Sequence, residues 1–137
     1  MMKSVFIILG LLIGMGSAFA EPVIVGNING VDNISASDAK KLFLGKLKKL
    51  SNGTKPIVVE YPDGSAIRDA FHSKVTGKTS SQLQAYWSQI VFRGKGNPPK
   101  EVGSAAAVIA EITANPAVIG YVDSAEVTDQ LKVIYQP

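Results

Sequence analysis

Hydrophobic residues along the chain follow two different spacings, and the order of these spacings predicts the order of strands and helices. Short apolar runs rich in β-branched residues, each bounded by Gly, Asn or Pro, predict strands at 22–27, 55–61, 117–123 and 131–136. Apolar residues spaced three and four positions apart predict helices at 37–45, 66–76, 80–92 and 105–113. The order β-α-β-α-α-α-β-β predicts an α/β fold in which helices flank a small mixed sheet.

Polar residues mark where these helices begin. Thr79 followed by Gln82 is typical of a capping box, and Ser65 and Ser104 are candidate caps of the helices that follow them. The Gly- and Pro-rich residues 92–103 are predicted to form a loop between the last two helices. The apolar face of each element is predicted to join one core, whose main members are Leu42, Phe43, Ile57, Val59, Phe71, Leu83, Trp87, Ile109 and Ile119.

The first twenty residues, 1–20, are predicted to be a cleaved export signal. Lys3 supplies a positive start, an apolar run follows over residues 5–15, and Ala-Phe-Ala at 18–20 matches a cleavage site. The run is shorter than the roughly 20 apolar residues that a membrane-spanning helix needs. The mature chain is therefore expected to form one domain over 21–137 and to lie in the periplasm, with an uncleaved membrane anchor as the alternative.

Intact-mass measurement of the protein recovered from a periplasmic extract is expected to give a chain that begins at Glu21, because cleavage follows the small residues at positions 18 and 20. Recovery of the full-length chain from the membrane fraction would instead show that the segment is retained as an anchor.

Composition argues against several kinds of site. The chain has no cysteine and a single histidine, His72, so neither a disulfide nor a metal site built on thiolates or histidines is expected. His72 is interpreted as a structural residue at the surface or half buried, and a general base is the alternative. No pattern combines a nucleophile, a base and an orienting residue, so the protein is predicted not to be an enzyme and to need no cofactor.

The charge balance is mild. The net charge of +3 comes from 14 basic and 11 acidic residues, which does not predict nucleic-acid binding. The one basic cluster consists of Lys46, Lys48 and Lys49, close to Lys40 and Lys41. It is interpreted as the solvated end of a helix, and a partner-binding patch is the alternative.

The strongest candidate for a binding site is the segment 63–68, "DGSAIR", which we call the anion corner. A helix that begins after Gly64 presents unsatisfied N–H groups, that of Ala66 among them, and about half a positive charge. The Ser65 hydroxyl can donate to an oxyanion, and Arg68, one turn along, can pair with the same anion. The alternative is an ordinary turn, in which Ser65 caps the helix and Arg68 pairs with a carboxylate.

Four stretches of the chain together resemble the periplasmic phosphate-binding proteins of ATP-driven uptake systems. They are "DAKKLFLGK", "NGTKPIVVEYPDGSAIRDAFHSKVTG", "AYWSQIVFRGKGNPP" and "NPAVIGYVD". The resemblance covers roughly residues 22–135 and is greatest for a short, single-domain branch of that family. It implies one lobe of the two-lobed, type II periplasmic-binding-protein fold, with an anion-binding turn at a helix start.

The anion corner follows the family's D-G-S-G-T turn only in part. The first three residues match, whereas Ala66 and Ile67 stand where Gly and Thr are expected. Tyr61 replaces the arginine expected two residues before the aspartate, and Arg68 can substitute for that arginine.

The resemblance implies an exported solute-binding protein for phosphate or a similar oxyanion. Its partners would be the membrane subunits of an ABC transporter or another envelope protein, and a partner lobe or a homodimer would complete the site. The alternative is an accessory or interaction protein of the envelope that binds no small molecule.

Overall fold

The computed structural model describes residues 20–137, and the predicted export signal lies outside them apart from Ala20. The strands are β1 (Pro22–Asn27), β2 (Ile57–Glu60), β3 (Lys100–Glu101), β4 (Val118–Asp123) and β5 (Leu131–Tyr135). The helices are α1 (Ala36–Phe43), α2 (Ala66–Val75), α3 (Ser80–Phe92) and α4 (Ala105–Ala114), and a 3-10 turn follows β4 at Ser124–Glu126. The predicted α/β class is confirmed, and each predicted helix and strand is present within two residues of its expected ends.

β3 is a strand that the sequence pattern does not predict, because it lies in the segment assigned to a loop. It runs parallel to β2, with Val59 opposite Lys100 and Glu60 opposite Glu101. The Val102 N–H extends this pairing by donating to Glu60 O at 2.8 Å. Two residues are too few to show the alternation that identifies a strand.

The strands form a mixed sheet in the order β3-β2-β4-β1-β5. β2 runs parallel to β3 and β4, whereas β1 runs antiparallel to β4 and β5. All of β1 is buried, as is all of β4 except its last residue. Burial on both faces explains why these strands are continuous apolar runs in the sequence.

Successive side chains of β4 point to opposite faces of the sheet, and this places the helices. The ring of Tyr121 stacks on Phe71 of α2 at a centroid distance of 3.8 Å. Gly120 faces the other side, where a Cβ would lie 2.9 Å from Cγ2 of Val59 and 3.0 Å from Cγ1 of Val108 in α4. Close packing therefore requires a glycine inside this strand.

Most of the predicted core residues meet in one cluster between the sheet and the helices. Its members include Leu42, Phe43, Val59, Phe71 and Ile119. Ile109 packs against the same cluster and is partly buried. The prediction of a common core is confirmed for these six residues.

The other three predicted core residues lie elsewhere. Ile57 is 45% exposed, and Leu83 and Trp87 are buried outside the main cluster. Trp87 packs on Gly45, which has a φ of +70° and where a Cβ would lie 2.8 Å from Cη2 of the indole. α3 thus makes a separate contact with the segment after α1, and the prediction of a single core is wrong for this helix.

Candidate functional site

The anion corner lies where β2 ends and α2 begins. Gly64 has a φ of +89°, which favours glycine, and the turn that it forms places Ser65 directly before the first helical residue, Ala66. The Ser65 N–H donates to Pro62 O at 3.2 Å and closes this turn. The structure therefore brings Gly64, Ser65 and Ala66 together at the N-terminus of a ten-residue helix, where N–H groups lack partners within the helix.

The Ser65 side chain does not cap α2, which distinguishes α2 from the other helices. Ser35, Thr79 and Ser104 each accept a hydrogen bond from the backbone N–H three residues later, at 3.1–3.2 Å. The Ser65 hydroxyl donates instead to Pro62 O at 2.6 Å. The first-turn N–H groups of α2 thus have no side-chain cap among the described residues, and they keep the partial positive charge that attracts an anion.

The Asp63 carboxylate is held by α3. It accepts hydrogen bonds from the Ser80 hydroxyl and, at 2.5 Å, from Gln84 Nε2. These two bonds hold the pKa of Asp63 below its usual range, and the positive charge of Arg68 lowers it further. Asp63 is therefore ionised, and it ties the turn to α3.

Arg68 is buried, and its guanidinium is directed at β2 and β3. Nη1 donates to Tyr61 O at 3.0 Å and lies 3.3 Å from Glu101 Oε1, while Nε lies 3.7 Å from Glu60 Oε1. The alternative in which Arg68 pairs with carboxylates is therefore the arrangement observed. Direct contact between Arg68 and an anion stays a prediction; in this conformation Arg68 holds Tyr61, the residue that precedes the turn.

Behind the corner lies a buried polar cluster, formed by Glu60, Arg68, His72, Thr76 and Tyr121. Glu60 Oε1 accepts a hydrogen bond from Tyr121 OH at 2.8 Å and contacts His72 Nε2. His72 Nδ1 lies 2.9 Å from Thr76 Oγ1. These contacts join β2, α2 and β4 directly behind the turn that forms the anion corner.

The burial of Tyr121 and the charge of Glu60 decide which groups donate and which accept in this cluster. Burial raises the pKa of Tyr121, and the charge of Glu60 raises it further, so the phenol stays protonated and donates. Glu60 Oε1 then accepts from Tyr121 OH, and it accepts from His72 in the tautomer that carries hydrogen on Nε2. Among the described residues, Arg68 Nε is the one buried side-chain nitrogen or oxygen without a hydrogen bond.

Sequence reasoning missed most of this cluster. The assignment of His72 to the surface or to a half-buried position is wrong, because 1% of the residue is exposed. One signal for Glu60 was available: it follows an apolar strand run, where a carboxylate needs buried partners. The four-residue spacing also places Arg68 and His72 on the same face of α2.

Within residues 20–137, no helix has the length and apolar character needed to cross a membrane. The same residues contain no group of three or more His, Cys, Asp or Glu side chains arranged to hold a metal ion.

The fold is similar to that of phosphate receptors. An ABC-type phosphate transport receptor from Vibrio cholerae gives a TM-score of 0.66 at 17% identity, covering 84% of this chain and 45% of the receptor. A structure from Clostridium perfringens with bound phosphate is described as a phosphate ABC transporter substrate-binding protein. It gives a TM-score of 0.66 at 18% identity, and the match covers 84% of this chain and 44% of that protein. A candidate phosphate-binding protein from Planctomyces limnophilus gives a TM-score of 0.62 at 14% identity, and the match covers 84% of this chain and 40% of that protein.

These similarities establish the fold of the chain as a mixed α/β domain that matches about half of a phosphate-binding protein. The chain spans less than half of the length of each of these three proteins. It matches no protein-family model and no curated protein sequence. A shared fold does not imply a shared function, and at 14–18% identity these similarities show the fold alone.

Proposed function

We propose that this protein binds phosphate or a similar oxyanion at the anion corner, as an exported solute-binding protein of an ABC uptake system. The observation that carries the proposal is the start of α2. Among the four α-helices of the described chain, α2 alone has no side-chain cap at its N-terminus. The fold shared with phosphate receptors supports the same assignment.

The anion would be held mainly by neutral donors. The N–H groups of Ala66 and Ile67 lie in the first turn, and the Ser65 hydroxyl can rotate away from Pro62 O to donate to the anion. No heavy atom of the described residues outside 63–65 lies within 4 Å of the position that a Cβ at Gly64 would take, so an anion can approach the backbone there. Hydrogen bonds to a charged partner are worth about 1.5–3 kcal/mol each, so a few such donors give measurable affinity.

Arg68 would support this site from behind. Its bond to Tyr61 O fixes the residue before the turn, and its positive charge already acts on Asp63. Because Glu60 and Glu101 already pair with the guanidinium, its main contribution would be to hold the turn in the conformation that presents the first-turn N–H groups.

Asp63 gives the site a basis for choosing among oxyanions. Its ionised carboxylate can only accept hydrogen bonds; the two oxygens already accept from Ser80 and Gln84, and each keeps a lone pair for a further donor. Hydrogen phosphate carries a proton that it can donate to such a carboxylate, whereas sulfate at neutral pH carries none. We therefore expect phosphate to bind more tightly than sulfate.

Replacing Ser65 with aspartate is expected to weaken phosphate binding strongly without destabilising the fold. Aspartate is a strong N-cap, so its carboxylate would accept hydrogen bonds from the first-turn N–H groups and take the place of the anion. In titration calorimetry of the mature protein, we expect phosphate affinity to fall by about ten- to a hundredfold or more. The thermal midpoint is expected to stay the same or to rise.

Ser104→Asp is the matched control, because it adds the same charge at the N-cap of α4, where Ser104 already caps the helix. Phosphate affinity should be unchanged in this variant. Equal losses from both substitutions would show that any binding is diffuse electrostatic attraction. An unmutated protein that binds no phosphate at millimolar concentration would contradict the proposal.

An interaction protein of the envelope is the second candidate. Exposed apolar side chains on α3 favour it: Val91 is 49% exposed and Phe92 is 92% exposed. Surface of this kind is typical of a protein that binds another macromolecule. If the calorimetry detects no anion binding, this second function replaces the first.

A further inference from the structure

A groove crosses the surface between the start of β2 and the loop that leads to β3. Its volume is about 620 Å³, and we call it the lysine groove. Its principal lining residues are Ile57, Trp87, Pro98, Lys48, Lys55 and Lys100. It adjoins the start of β2, whereas the anion corner follows the end of that strand, so the two sites are separate.

The apolar surface of the lysine groove continues onto α3. A shallower depression shares Trp87 and Pro98 with the groove and adds Val91 and Phe92. Three large apolar residues of this surface are exposed to solvent: Ile57 by 45%, Val91 by 49% and Phe92 by 92%. Large apolar side chains exposed next to one another are typical of a surface that a partner covers.

The rim of the groove is positively charged. Three lysines line it, and no acidic residue lines either the groove or the depression beside it. Lys100 pairs with Glu111 at 2.7 Å, Lys48 Nζ donates to the neutral carbonyl of Gly45 at 3.0 Å, and Lys55 forms no ion pair with any described residue. The groove therefore carries an excess of positive charge around an apolar floor.

The fold also gives the basic cluster of the sequence a location. Lys46 and Lys49 flank Lys48 in the segment after α1, and all three precede the groove residue Lys55 by fewer than ten positions. Of this cluster, Lys48 lines the groove, whereas Lys46 Nζ lies 6.0 Å from the centre of the Tyr86 ring on α3. Positive charge around an exposed apolar surface raises the local concentration of acidic partners and speeds their association.

We propose that the lysine groove binds a short acidic segment of a partner protein that carries leucine-like apolar side chains. Carboxylates on the segment would pair with Lys55 and Lys48, while its apolar side chains would cover Ile57 and Trp87. The positively charged rim favours a partner with negative charge, and the apolar floor favours apolar side chains on that partner. A second copy of this chain is a poorer occupant, because the chain itself has a net positive charge.

The experiment uses the fluorescence of Trp87, which is the only tryptophan of the chain and lines the groove. The probe is a seven-residue peptide of alternating Glu and Leu, which contains no tryptophan. Two further peptides separate charge from apolar contact: one of alternating Lys and Leu, and one of alternating Glu and Ser. We expect only the Glu-Leu peptide to shift the Trp87 emission with a saturable dependence on concentration.

Charge reversal provides the specific variant. In Lys55→Glu, the affinity for the Glu-Leu peptide is expected to fall by about five- to tenfold. The substitution removes one exposed ion pair with the peptide and adds a repulsion of similar size. The Lys-Leu peptide should bind this variant better than it binds the unmutated protein. Lys74→Glu is the matched control, because it changes the net charge equally on α2, away from the groove, and should leave both affinities unchanged.

Several results would overturn the proposal. Equal binding of the Glu-Leu and Glu-Ser peptides, or equal effects of Lys55→Glu and Lys74→Glu, would show unspecific attraction. A shift of Trp87 emission with phosphatidylglycerol vesicles and none with the Glu-Leu peptide would assign the surface to a membrane. If sedimentation experiments show a dimer, and Lys55→Glu or Phe92→Ala dissociates that dimer, the surface is an interface with a second copy of the chain. None of these readouts depends on phosphate binding.

Discussion

Replacing Glu60 with alanine is expected to lower the free energy of unfolding by about 3–5 kcal/mol. The substitution removes the carboxylate that contacts Arg68, His72 and Tyr121 inside the protein. The buried guanidinium then loses a counter-charge, and two buried hydrogen-bond donors lose their acceptor, both of which are costly. Urea unfolding followed by circular dichroism at pH 7 measures the difference.

Glu101→Ala is the matched control, since Glu101 pairs with the same guanidinium but its side chain is 56% exposed. The free energy of unfolding of Glu101→Ala should be lower than that of the unmutated protein by at most about 1 kcal/mol. Glu60→Gln is expected to fall between the two, because the amide oxygen still accepts hydrogen bonds while the charge is gone. Equal losses from Glu60→Ala and Glu101→Ala would contradict the view that burial makes Glu60 essential.

Replacing Phe71 with alanine is expected to lower the free energy of unfolding by about 3–5 kcal/mol. Phe71 is fully buried, stacks on Tyr121 at 3.8 Å between ring centroids and contacts Phe43 edge-on at 4.6 Å. Alanine leaves a cavity between α2 and the sheet that the neighbouring rings can fill only in part. The same urea experiment gives the value.

Phe92→Ala makes the same chemical change at a side chain that is almost fully exposed. It should alter the free energy of unfolding by less than about 0.5 kcal/mol. A comparable loss from both variants would mean that Phe92 packs against the domain, and the apolar surface beside the lysine groove would then not be available to a partner.

The buried polar cluster changes how the anion corner has to be tested. Arg68 belongs to the predicted binding residues and also to the cluster that holds β2 to α2. Removing Arg68 leaves Glu60 buried with less positive charge around it, so a loss of binding in Arg68→Ala could come from a distorted fold. Ser65→Asp avoids this difficulty, because the Ser65 hydroxyl bonds to Pro62 O and not to a member of the cluster.

The sequence predicts the helices, the long strands and the position of the corner because these depend on local patterns. Apolar spacing identifies α1 to α4, and a glycine followed by serine before a helix identifies the turn at Gly64 and Ser65. The structure places both residues at the start of α2, as the pattern requires.

The features that the sequence does not predict depend on contacts between distant segments. Arg68 contacts Glu101, 33 positions along the chain, and Glu60 accepts a hydrogen bond from Tyr121, 61 positions along. The apolar stripe of α3 predicts burial, but not that Trp87 packs on Gly45 instead of the main core. Periodicity shows that a side chain is buried and does not show what it is buried against.

The most direct test of phosphate binding at the anion corner is a titration of the ¹⁵N-labelled mature protein with phosphate, at constant ionic strength. Phosphate binding at this corner should shift the backbone N–H signals of Ala66, Ile67 and Arg68 together along one saturable curve, and Ser65→Asp should remove these shifts. Shifts of equal size at the N-termini of α1, α3 and α4, or no saturable shift at α2, would contradict it.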